Sequence, residues 1–72
     1  MSCVAVEQKK AFDYCAKKVT DGDTKTYDDL DVFKRFEAGL CAIHLPIECS
    51  KVTDQKKCTE GCIWKNNAHD HK

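Results

Sequence analysis

"TYDDLDVFKRFEAGLCAIHLP", Thr26 to Pro46, carries the clearest hydrophobic period in the chain. Phe33, Phe36, Leu40 and Ile43 recur at steps of three and four residues, with Leu30 and Val32 beside them. That interval marks one face of an α-helix and not the alternation of a strand. Thr26 stands three residues before Asp29 in a capping-box-like arrangement, and the early aspartates suit the positive end of a helix dipole. Pro46 lacks the amide hydrogen a continuing helix needs and disfavours helical geometry at Leu45, so the pattern predicts a helix that stops there.

On the N-terminal side, "CVAVEQKKAFDYCAKKVT", residues 3–20, places Ala5, Phe12, Cys15, Ala16 and Val19 on one side at helical spacing. Lys9, Lys10, Lys17 and Lys18 point elsewhere. "TDGDTK" breaks this helix, with Gly22 suited to the left-handed position after a helix end. On the C-terminal side, a shorter helix is expected over Thr53 to Thr59, capped by Ser50 or Thr53 and ended near Gly61. "CIWKNNAHDHK" then reads as a packed turn and a tail, with Ile63 and Trp64 as the last core residues. No segment alternates as a strand should, and there is no internal repeat. The expectation is an all-α fold, a compact disulfide-stapled bundle of three to four short helices. It forms one domain over residues 1–65, followed by a flexible polar tail over residues 66–72.

Composition explains why staples are expected. A chain of 72 residues buries only about 60% of the surface its unfolded form exposes, so its core is marginal. Its six cysteines are the composition of a disulfide scaffold, which forms in an oxidising compartment. Secretion follows as the expected localisation. The apolar run Val4 to Val6 is far below the ~7–15 residues of a signal-peptide core, which places a mature N-terminus near Ser2 or Cys3. No stretch approaches the ~20 apolar residues of a membrane span, so stable membrane insertion is not expected.

Cys3, Cys15, Cys41, Cys49, Cys58 and Cys62 can pair in about fifteen ways. An antiparallel hairpin of the first two helices favours Cys3 with Cys41 or Cys49, and Cys15 with Cys58 or Cys62. Cys58 with Cys62 is disfavoured, because a bridge within one helical turn constrains almost nothing.

Twelve Lys plus Arg balance twelve Asp plus Glu, which argues against a nucleic-acid binder. The charges are unevenly placed. Asp21, Asp23, Asp28, Asp29 and Asp31 cluster around Lys25, a pattern that reads as a solvated face before it reads as a partner-orienting one. The aspartates do not form a calcium loop, since the sixth and twelfth positions from Asp21 are Thr26 and Val32 instead of glycine and glutamate. Cys58, Cys62, His69 and His71 have the wrong spacing for a zinc finger. His69, Asp70 and His71 alone could hold Cu(II) or Zn(II) loosely, against the plainer reading of a solvated tail. His44 reads as a helix-end histidine. No resident cofactor is expected, and no pairing of nucleophile and base suggests catalysis. The candidate binding residues are Lys9, Lys10, Lys17 and Lys18, with a separate patch of Lys56, Lys57, Trp64 and Lys65, since cationic and aromatic side chains anchor many interfaces.

The plan of helices joined by three disulfides resembles the small secreted helical proteins of invertebrates, a class of venom peptides, pheromones and defence proteins. Cys3 with Cys15, Cys41 and the terminal "HDHK" are similar to microplusin-type tick antimicrobial proteins, all-helical with six cysteines and a histidine-rich tail. The first resemblance implies a ligand for a protein receptor or channel of another cell. The second implies defence by metal sequestration through His69, Asp70 and His71. A third reading, a reduced intracellular protein with Cys58 and Cys62 as redox or metal thiols, requires the chain to start at Met1. If three bridges carry the fold, excess reductant should abolish the helical circular dichroism signal, and a signal that persists in reductant would exclude this dependence.

Overall fold

A computed structural model describes residues 1–65. In chain order it contains β1 (Ser2–Ala5), α1 (Gln8–Val19), a 3₁₀ turn at Tyr27–Asp29, α2 (Val32–Ser50), a second 3₁₀ turn at Gln55–Lys57 and β2 (Cys62–Lys65). The fold is mixed α/β, with two α-helices and a two-stranded antiparallel sheet; the expected all-α bundle of three to four helices is incorrect.

The error begins at both ends of the chain. Residues 3–20 are not one helix, because Ser2–Ala5 pairs with Cys62–Lys65 in the register Ser2 with Lys65, Cys3 with Trp64, Val4 with Ile63 and Ala5 with Cys62. Val6 extends the pairing by donating to the Gly61 carbonyl at 3.0 Å. Branched and aromatic side chains suit a strand, but each segment alone is too short to alternate visibly. Only their pairing makes them strands. In β2, Cys62 and Trp64 lie on the half-buried side, with Ile63 and Lys65 on the exposed side.

The expected helix, beginning near Thr26 and stopped before Leu45, is displaced at both boundaries. Thr26 does donate to the Asp29 carboxylate at 2.7 Å, but this bond closes a 3₁₀ turn. The helix proper starts after Asp31, whose carboxylate accepts from the Lys34 amide at 2.9 Å as its N-cap. At the other end, α2 runs through Pro46 to Ser50, with Leu45 helical and buried. An interior proline costs a free helix about 3 kcal/mol. Here burial of Leu45 and Cys49, and the bridge from Cys49 to Cys62, offset that cost. The expected helix over Thr53 to Thr59 is only the single turn at Gln55–Lys57, capped by Asp54.

The segment between the helices is pinned to α1. Gly22 donates to the Lys17 carbonyl at 2.7 Å, closing α1 through left-handed residues Asp21 and Gly22. The Tyr27 amide donates to Asp13 at 2.9 Å, Phe12 and Tyr27 pack edge to face at 4.8 Å, and the Lys34 ammonium donates to the Val19 carbonyl.

The buried residues are Cys3, Ala11, Cys15, Ala16, Leu30, Ala38, Ala42, Leu45 and Cys49, with Phe12, Tyr14, Val19 and Trp64 half-buried around them. Apart from Leu30 and Leu45 they are alanines and cystine halves. A core of such small side chains removes little apolar surface from water, so cross-links carry an unusual share of the stability. They are Cys3–Cys58, Cys15–Cys41 and Cys49–Cys62, and no cysteine is free. Both expected partner sets are therefore incorrect. Cys3 lies on a strand instead of a helix end. Its sulfur approaches those of Cys49 and Cys62 within 4.8 Å but bonds to Cys58, while Cys15 reaches directly across to Cys41.

Gly61 turns the chain into β2 at φ 84°, and a Cβ there would sit 2.8 Å from the Tyr14 ring. Gly22 has a similar φ of 91° in open space. Gly61→Ala should therefore lower stability by more than about 1 kcal/mol and more than Gly22→Ala does. Urea denaturation of the two variants checks the order.

Candidate interaction surface

Two sets of α2 residues step by three and four. Ala38, Ala42, Leu45 and Cys49 are buried against the rest of the molecule, and Phe33, Phe36, Leu40, Ile43 and Ile47 form the opposite side of the same cylinder. The second set, with Val32, lies in solvent. Phe33 is 80% exposed, Ile43 71%, Phe36 67%, and even Leu40 and Ile47 are half exposed. The stripe whose period marks the helix is thus not the face that packs on α1.

Disulfides and side-chain size set this orientation. Cys15–Cys41 holds the middle of α1 to the middle of α2, and Cys49–Cys62 ties the end of α2 to β2. Once Cys41 and Cys49 face inward, Ala38, Ala42 and Leu45 must do so too, because they share that side of the helix. Alanine lets the helices approach closely. Phenylalanine and isoleucine are left outside. The sequence does carry a signal for this: bridged cysteines label the inner face of a helix, and counting from Cys49 in steps of three and four reaches Leu45, Ala42 and Ala38.

The stripe has polar borders. Glu37 lies along one edge, paired with Lys34 at 3.3 Å, followed by His44, whose Nε2 lies 3.0 Å from Glu48. His44 is therefore within the helix and not at its end, since α2 continues past Pro46. Gly39 and Pro46 follow the other edge.

Among the expected binding lysines, the structure brings together residues from the two separate patches. Tyr14, Lys18 and Lys57 line one shallow groove with His44, Glu48 and Glu60, and Lys17 adjoins it. The Lys18 ammonium lies 5.8 Å from the Tyr14 ring centre and 3.5 Å from its hydroxyl. Lys9 faces another groove beside Phe12 and Tyr27, bridged to Asp13 at 3.5 Å. Lys10, Lys56 and Lys65 are exposed, and Trp64 is half-buried against the core opposite Cys3. His69, Asp70 and His71 lie outside the described residues.

The sulfurs of Cys3, Cys49 and Cys62 form the one cluster among the described residues with metal-ligand proximity. Each belongs to a disulfide, so none offers the thiolate that a soft metal requires. Cys58 and Cys62 sit in different bridges, which removes the ground for reading them as a thiol pair. No helix among the described residues is long and apolar enough to cross a membrane. No protein-family model, curated protein or solved structure matches this chain.

Solvent exposure of the stripe has a measurable consequence. Where the protein sediments as a monomer, Leu40→Gln should change folding stability by no more than about 0.5 kcal/mol. Leu45→Ala, on the inner face of the same helix, should cost about 2–5 kcal/mol. Urea denaturation of both variants separates the two faces.

Proposed function

We propose that this chain is an extracellular, non-catalytic protein that acts by binding a protein of another cell, as a toxin-like or signalling ligand does. The observation that carries the reading is the solvent-facing apolar stripe of α2, Phe33 to Ile47. Monomeric proteins seldom leave a contiguous apolar patch above about 300–600 Å² in water unless it meets a partner. Anchors spaced at three, four and seven residues are also the pattern by which one helix seats against another helix or a groove.

The frame around the stripe supports the same reading. Three disulfides fit a protein of an oxidising environment, and they hold α2 in place before any partner arrives. Its ordering cost is therefore met during folding and not during binding. The groove of Tyr14, Lys18 and Lys57 adds cationic and aromatic contacts beside it, interleaved with Glu48 and Glu60 so that it has no single sign of charge.

Binding of labelled protein to a panel of intact animal cells and microbial suspensions tests this function. Phe36→Glu with Ile43→Glu should reduce binding to any responsive cell at least about tenfold, with helical circular dichroism and the three bridges intact. Removal of residues 66–72 should leave it unchanged. The reverse pattern, loss of activity on truncation and none on stripe substitution, would replace this reading with metal sequestration by His69, Asp70 and His71.

A further inference from the structure

We infer that the protein seated on the α2 stripe is a second copy of this chain, and that the ligand is an antiparallel dimer. The inference rests on reading the stripe as a protein-contact surface and names its occupant; the target then meets the paired grooves, and stripe substitutions lower cell binding by separating the two copies.

Phe33, Phe36, Leu40, Ile43 and Ile47 follow one another at intervals of three, four, three and four residues. This is the a and d pattern of a coiled-coil seam, narrower than the apolar face of a helix packed into a globular core. A surface of that shape is complementary to a helix with the same interval, and each copy of the chain carries one. The six exposed side chains from Val32 to Ile47 present on the order of 600 Å² of apolar surface, taking ~150–250 Å² for a free aromatic side chain and less for an aliphatic one. A standard interface takes about 800 Å² from each partner.

The borders select the direction and the register. If two α2 helices run antiparallel with Leu40 level with Ile43 of the second copy, Phe36 meets Ile47, and every one of these contacts occurs twice by symmetry. Glu37 then lies beside His44 of the second copy, again twice, placing a carboxylate against an imidazole on the same edge of the seam. On the other edge Gly39 lies beside Pro46, and neither carries a long side chain that would hold the helices apart. Sliding by one heptad, so that Phe36 is level with Leu40, would instead bring the two Glu37 carboxylates together. A parallel pair would set Val32 beside Glu37, Gly39 beside His44 and Pro46 beside Lys51, with no carboxylate facing an imidazole. The antiparallel arrangement also opposes the two helix dipoles.

Cys41 and Cys49 fasten α1 and β2 to the inner side of α2, away from the seam. The dimer would be a layer of two α2 helices between two outer layers. Each copy would present its Tyr14, Lys18 and Lys57 groove, so the target would meet a bivalent ligand.

Sedimentation equilibrium on the disulfide-intact chain across the micromolar range tests the inference. The expected result is a reversible monomer–dimer equilibrium. Leu40→Glu should weaken it at least about 100-fold with circular dichroism unchanged, because it places a charge at the centre of the seam. Glu37→Lys should weaken it about tenfold, and adding His44→Glu should restore it. A wild-type chain that stays monomeric overturns the second copy, and a double variant no tighter than Glu37→Lys alone overturns the antiparallel register. Fluorescence of anilinonaphthalene sulfonate separates the two levels of failure. If monomeric wild type binds the dye and Leu40→Glu does not, the stripe stands as a contact surface for another protein and the second copy falls. If the wild type is monomeric and its dye fluorescence does not depend on Leu40, both readings fall together.

Discussion

The close approach of α1 to α2, clamped by Cys15–Cys41, is the constraint from which the rest of the molecule follows. With Cys41 committed inward, the inner face of α2 consists of Ala38, Ala42, Leu45 and Cys49, and α1 meets it with Ala11, Cys15 and Ala16. Small side chains permit that approach but bury little area. The chain thus exchanges hydrophobic driving force for cross-links, as suits a domain too short for a large core. One helix face is then left carrying most of the large aliphatic and aromatic residues of α2, with none of the described residues covering it.

The remaining bridges secure what the clamp leaves loose. Cys49–Cys62 anchors the last turn of α2 beyond Pro46, and Cys3–Cys58 fixes the first strand to the chain ahead of the last one. Together they gather both ends of the described chain beside the end of α2, where β1 and β2 pair. A two-stranded ribbon is barely stable alone, but here it is held by Cys3–Cys58 and Cys49–Cys62 and by the half-buried Trp64. The same gathering explains why Gly61 must be glycine: the turn into β2 passes directly over the Tyr14 ring.

A rigid frame that leaves an apolar helix face uncovered is the physical basis of the proposed binding role. The frame meets the entropy cost of ordering in advance, and the face supplies the surface whose removal from water drives association. The stripe's polar borders and the mixed-charge groove of Tyr14, Lys18 and Lys57 give such a surface direction and selectivity, which apolar area alone does not supply.

Composition made a disulfide-stapled chain legible, local periodicity marked helices within residues 8–19 and 32–50, and turn chemistry placed Gly22 at the end of the first. The sequence also held, unread, the orientation of α2 in the positions of Cys41 and Cys49. The rest depends on contacts between segments far apart in the chain. The strands exist because Ser2–Ala5 meets Cys62–Lys65 from the far end of the chain, a pairing that no local pattern encodes. The helix passes Pro46 because Leu45 and Cys49 are anchored on both sides of it. The bridges are set by distances in space: Cys3 lies near Cys49 and Cys62 and still bonds to Cys58. Periodicity locates an apolar face on a helix, but whether that face is covered depends on which elements pack against it, and here Cys15–Cys41 fastens α1 to the other side.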